Sequence, residues 1–156
     1  MTKTVAERLL EKGISLPIVG VPTANYVPTK VIGSVIYVSG QIPRLNGEVR
    51  HVGKVGATIS LEEARDAARI CALSVVAQLK LALDGDLERV RNCIRLRGFV
   101  NAVPDYDRHA EVIDAASDIF VDVFGERGRH VRTAMGAGSL PRNVSVEIDA
   151  EFEITP

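Results

Sequence analysis

Between Val144 and Phe152 apolar and polar residues alternate without a break, with Val144, Val146, Ile148, Ala150 and Phe152 set against Ser145, Glu147, Asp149, Glu151 and Glu153. A strand turns successive side chains to opposite faces, so Val144 to Ile154 is predicted to be a strand with one buried face and one face of carboxylates. The same period marks Val90 to Val103, where Ile94 and Leu96 alternate with Arg95 and Arg97, and a shorter strand is predicted over His130 to Gly136. Near the start, VPTKVIGSVIYVSGQIP holds two β-branched runs, Lys30 to Ile32 and Val35 to Val38, with Gly33-Ser34 between them as a hairpin turn and Pro43 closing the second.

The period changes to helical in three places. Val5 to Glu11 forms a short amphipathic stretch ended by Gly13, and an extended connection follows from Pro17 to Pro22. Ser60 and Glu63 have the spacing of a capping box ahead of a long helix carrying Ala64, Ala67, Ala68, Cys71, Val75 and Leu79 on one face, with Gly85 at its end. Asp105 is placed to cap another helix, whose stripe is Val112, Ile113, Ala116, Ile119, Phe120 and Val123 and whose stop is Gly125. The glycine-rich stretch from Leu45 to Ala57 is read as a loop with room for one short strand. Strands, helix, strand, helix, strands is the order of an α+β fold, a mixed sheet with two main helices packed on one face. Residues 1–156 form a single domain in this reading.

Composition narrows the function classes. With 46% hydrophobic and 25% charged residues the chain can bury a core, and disorder is excluded. A net charge of −1 supplies no global field for nucleic acid or an anionic membrane. The opening segment lacks the apolar core of a signal peptide and no stretch reaches the roughly 20 apolar residues of a membrane span, so a soluble, cytoplasmic protein is expected. Cys71 and Cys93 are read as core thiols, and His51, His109 and His130 are dispersed without a ligand spacing, so no metal site is expected.

Four pieces stand in a particular order: Tyr26 ahead of the hairpin, VSGQIP at Val38 to Pro43, Arg132 followed eight residues on by Leu140-Pro141, and VEI at Val146 to Ile148. Together they resemble the RidA (YjgF-type) family over residues 24–154, with residues 1–23 as an N-terminal extension. The resemblance implies a chorismate-mutase-like fold assembled as a homotrimer, with clefts between adjacent subunits as active sites. It also implies hydrolysis of reactive 2-imino acids or enamines to 2-oxo acids and ammonia, without a cofactor.

A 2-imino acid presents a carboxylate, which an arginine fork holds by two charge-assisted hydrogen bonds. The family pattern puts Arg132 in that role. Alternation turns Arg132 away from the face of Val131 but does not choose between solvent, an acidic neighbour and a subunit cleft. Glu147 matches the family's carboxylate that orients or deprotonates the attacking water, although it also shares the parity of Asp149, Glu151 and Glu153. Tyr26 matches the ring bordering the pocket, and Ser39 and Gly40 match the turn whose backbone lines it.

Some positions depart from the pattern. Ala134, a substrate-binding position, stands where classical members often carry cysteine, and Gly136 where glutamate is common. Asp114 and Ala115 stand toward the end of the second helix, where asparagine is common. These departures resemble a longer branch of the family, and the two small residues are expected to widen the cleft for a larger substrate. Endoribonuclease or translation-inhibitor activity is the alternative the family suggests, disfavoured by near-neutral charge and sparse aromatics. A non-catalytic module binding a small carboxylate is the third reading.

Overall fold

Thr4 starts the first helix. Its hydroxyl accepts the Glu7 N–H at 3.2 Å while the Glu7 carboxylate accepts the Thr4 N–H at 2.7 Å, a reciprocal cap that satisfies two otherwise orphan donors of α1 (Val5–Glu11). In this computed structural model, which describes residues 2–156, the helix is pinned by Val5, buried to 2% exposure, and by its N–H, which donates to Glu88 at 2.5 Å.

The predicted hairpin is β1 (Thr29–Ile32) and β2 (Val35–Gln41), turned at Gly33 with φ +60°. The glycine-rich loop holds two short strands rather than one, β3 (Arg44–Leu45) and β4 (Glu48–Val49), paired with each other. The Ser60–Glu63 capping box opens α2 (Leu61–Ala82) as expected. After β5 (Val90–Asn101) comes α3 (His109–Phe124), stopped at Gly125. Asp105 does not cap α3. The N-cap is Arg108, which makes no side-chain cap and instead pairs with Glu111 at 2.8 and 2.6 Å. The last strands are β6 (Val131–Ala137) and β7 (Val146–Ile154).

The main sheet runs β1-β2-β7-β5-β6, antiparallel except for the β5–β6 pair. α3 is the crossover that a parallel pair requires. β7 sits at the centre, which is why its inward residues Val146, Ile148, Ala150, Phe152 and Ile154 are all buried. They meet the predicted stripes of α2 and α3, and Phe120 of α3 stands edge-on to Phe152 at 5.4 Å. Burying each such large side chain contributes roughly 1.5–3 kcal/mol. Cys71 and Cys93 are buried free thiols.

Among the described residues the opposite sheet face carries no helix. Asn92 hydrogen-bonds Glu153 and Arg97 grips Asp149 through Nε and Nη2 at 2.8 and 2.9 Å, so the alternate polar residues of β5 and β7 pair across that face. Among the described residues no helix is long and apolar enough to cross a membrane.

Candidate functional site

β2 and β7 pair in step from Val35–Glu153 to Val38–Ala150, after which Gln41 stands opposite Ile148. Three steps on β2 against two on β7 leave one extra residue, a bulge at Ser39-Gly40. Gly40 there lies so close beneath the Glu147 side chain that a Cβ would collide with its Oε1. Any side chain at 40 would have to displace the Glu147 carboxylate from this position.

A cavity of about 380 Å³ opens at this bulge, lined by Tyr26, Ser39, Gly40, Gln41, Arg44, Ser74, Gln78, Arg142 and Glu147 and walled by residues 18–23. Four of the six sequence-predicted site residues thus meet in one place. Tyr26 is 58% exposed at its rim. The Glu147 carboxyl is held above its ordinary range, first by burial and then by the neighbouring Asp149 charge. A carboxylate tuned upward in a cleft is suited to taking a proton.

Sequence reasoning missed the α2 side of this cavity. Gln41 Nε2 donates to the Ser39 carbonyl at 3.1 Å, and a carbonyl only accepts, so Gln41 Oε1 must face Gln78 Nε2, 3.5 Å away. Ser74 and Gln78 are both 4% exposed, two polar residues four apart within an otherwise apolar stretch, and that spacing was the available signal.

Arg132 and Ala134 lie elsewhere. They share a face of β6 that looks toward α3, and Ala134 packs against the core. Arg132 Nη1 donates to Asp114 Oδ1 at 2.8 Å and to Ser117 Oγ at 3.2 Å, so the acidic neighbour is real, in the first half of α3 rather than near its end. Ser117 in turn meets His130 Nε2 at 2.9 Å. The room expected at Gly136 is taken by the His109 ring, close enough that a Cβ would strike its Nε2.

Within one chain Arg132 and Glu147 cannot converge. Phe99 of β5 pairs with both Glu147 and Met135, so Arg132 is three residues and two strands away, roughly 14 Å between Cα atoms, with its side chain on the other face. A site using both residues needs a second copy of the chain, as the inter-subunit cleft expected from the sequence would provide.

The family model described as "YjgF/chorismate_mutase-like, putative endoribonuclease" matches residues 6–151. Protein TCP17 of Trypanosoma cruzi is 42% identical over 151 residues, covering 96% of this chain and 94% of that protein. The crystal structure of Atu1372 from Agrobacterium tumefaciens is 44% identical, with a TM-score of 0.90 over 98% of this chain and 94% of that one. E. coli TdcF, crystallised with bound serine, shares the fold at 21% identity and a TM-score of 0.62, over 90% and 94% of the two chains. Matched along nearly its whole length, the chain belongs to the YjgF/chorismate-mutase-like family.

Proposed function

We propose that this protein hydrolyses reactive 2-imino acids or enamines to 2-oxo acids and ammonia, in clefts completed between protomers of a homotrimer. The observation that carries this reading is the half-buried Glu147 carboxylate, raised in pKa and set over the Gly40 bulge at the wall of a cavity. Arg132 of an adjoining protomer grips the substrate carboxylate, and Glu147 takes a proton from water as the water oxygen bonds to the imine carbon. Glu147 passes that proton to the nitrogen, giving a carbinolamine; the hydroxyl proton then follows to the nitrogen by way of Glu147 as the C–N bond breaks, and ammonia leaves behind a carbonyl. Tyr26, Ser39 and Gly40 border the reacting group, and no cofactor enters the scheme. The serine held by TdcF, a small molecule with a carboxylate, is in keeping with such a ligand class.

The test generates 2-iminobutyrate in situ and follows its loss with and without the protein. Wild type is expected to accelerate the loss and Arg132→Ala to slow turnover at least tenfold, about what losing a charged hydrogen-bond pair of roughly 1.5–3 kcal/mol entails. Equal rates for the two proteins sink the assignment of Arg132. The endoribonuclease reading is weaker because the outer sheet face sets Arg97 against Asp149 and neighbours Arg95 with Glu151, which breaks up a phosphate-tracking surface.

A further inference from the structure

Arg132 is tethered at one corner only. Both of its hydrogen bonds within the chain leave from Nη1, and among the described residues Nε and Nη2 have no partner. Those two nitrogens form the side-on edge of the guanidinium, the same edge that Arg97 uses to grip Asp149 and Arg108 uses to grip Glu111. The arginine is thus anchored in a way that keeps its bidentate edge available.

Asp114 is one anchor, at 2.8 Å, and the other is a relay with a determined sense. His130 Nδ1 lies 2.6 Å from the Gly128 carbonyl, and a carbonyl oxygen only accepts, so Nδ1 carries the proton. In the neutral ring Nε2 is then a lone pair, which must take the Ser117 O–H at 2.9 Å. With its proton committed, Ser117 turns oxygen lone pairs to Arg132 Nη1 at 3.2 Å. Burial, before the neighbouring Arg132 charge, keeps the His130 ring less basic than usual, against the pull of the Gly128 carbonyl, so the neutral form the relay needs is the one favoured. The ring is itself wedged edge-on against Phe120 at 5.7 Å, which holds the starting point of the relay in place.

We propose that Ser117 and His130 are positioning residues for Arg132, acting beside Asp114 to fix the guanidinium through Nη1 so that its Nε/Nη2 edge is presented to the carboxylate of a 2-imino or 2-oxo acid. This rests on Arg132 being the carboxylate clamp. Nothing in the motif reading pointed to either residue: Ser117 lies one turn from Asp114 on α3, and His130 immediately precedes β6.

The test is calorimetric titration of the purified full-length protein with 2-oxobutanoate, comparing wild type with Ser117→Ala, Ser117→Thr, His130→Phe and Arg132→Ala. Ser117→Ala and His130→Phe are each expected to raise Kd about fivefold to tenfold, while Ser117→Thr, which keeps the hydroxyl, stays within about twofold of wild type. Wild-type affinity in Ser117→Ala alongside a large loss in Arg132→Ala overturns the relay and leaves the clamp standing. Wild-type affinity in Arg132→Ala overturns the clamp, and the relay with it. If Ser117→Thr loses as much as Ser117→Ala, packing rather than the hydroxyl is responsible and the proposal is wrong. Should His130→Phe fail to fold, the Ser117 pair decides the matter alone.

Discussion

Gly40 lies directly beneath the Glu147 carboxylate, with no room between them for a single methyl group. The backbone of Gly40 does not take up the left-handed region, so the constraint is purely one of space. Gly40→Ala is therefore expected to push the carboxylate aside while leaving the fold intact. Steady-state turnover of an in situ imine should fall at least tenfold while the thermal midpoint moves by only a few degrees. An alanine variant with unaltered turnover would show that the placement of Glu147 over the bulge has no bearing on the chemistry.

Glu147 also sets a pH dependence whose sign follows from its raised pKa. In the folded protein it holds its proton to higher pH than in the unfolded chain. Its contribution therefore favours folding below the ordinary carboxylate range and is lost as pH rises through the folded value. Glu147→Gln removes that loss, so the variant is expected to be the more stable protein at neutral pH, read as a higher midpoint in denaturant. Turnover moves the opposite way, collapsing in the variant. In wild type the acid limb of kcat/KM should lie above pH 4.5, the ordinary value for glutamate. An acid limb at or below that value would remove Glu147 from the role of base.

Most of the fold was legible because it is written in local periods. The unbroken alternation around Glu147 gave β7, the Ser60–Glu63 spacing gave the start of α2, and Gly125 gave the end of α3. Asp105 misled because a cap depends on where the chain turns, and the turn came later, at Arg108. The site was legible only along the sheet's outer face and the bulge. The surroundings of Arg132 were not, since Asp114, Ser117 and His130 meet it only after α3 folds back over β6. No sequence period records which helix residue will face a given strand residue across a crossover.

One of the contacts that hold the amino-terminal helix is a hydrogen bond to Glu88. The Val5 N–H donates to Glu88, and Arg127 approaches the same carboxylate at 3.2 Å while donating to the Val90 carbonyl at 2.8 Å. Glu88 thus ties α1 to the segment that leads into β5. Glu88→Ala is expected to lower the unfolding free energy by about 1 kcal/mol, the usual scale for one lost hydrogen bond with a partly exposed partner. Hydrogen exchange should show the α1 amides losing protection ahead of those in β7. Unchanged exchange in α1 would mean that its other contacts, the buried Val5 side chain, Leu9 and the Lys12–Asp122 ion pair, are enough to hold the helix down.

Helix and sheet approach closely at Gly98 of β5, where a Cβ would overlap the side chain of Ile113 on α3. Both residues are buried, and Gly98 pairs with Ile148 on one side and Ala134 on the other, so its strand is held between two neighbours. Gly98→Ala should then destabilise the protein by about 1–3 kcal/mol, the cost of forcing one extra carbon into a packed core. The source of the penalty can be isolated with a second change. Ile113→Ala alone opens a cavity and is costly by itself, typically about 2–5 kcal/mol for such a truncation. Combined with Gly98→Ala, the new methyl occupies part of the space the isoleucine vacates, so the double variant should be more stable than the sum of the two single losses predicts. Chemical denaturation of the four proteins measures that difference directly. Strict additivity would mean that the glycine is required by something other than Ile113.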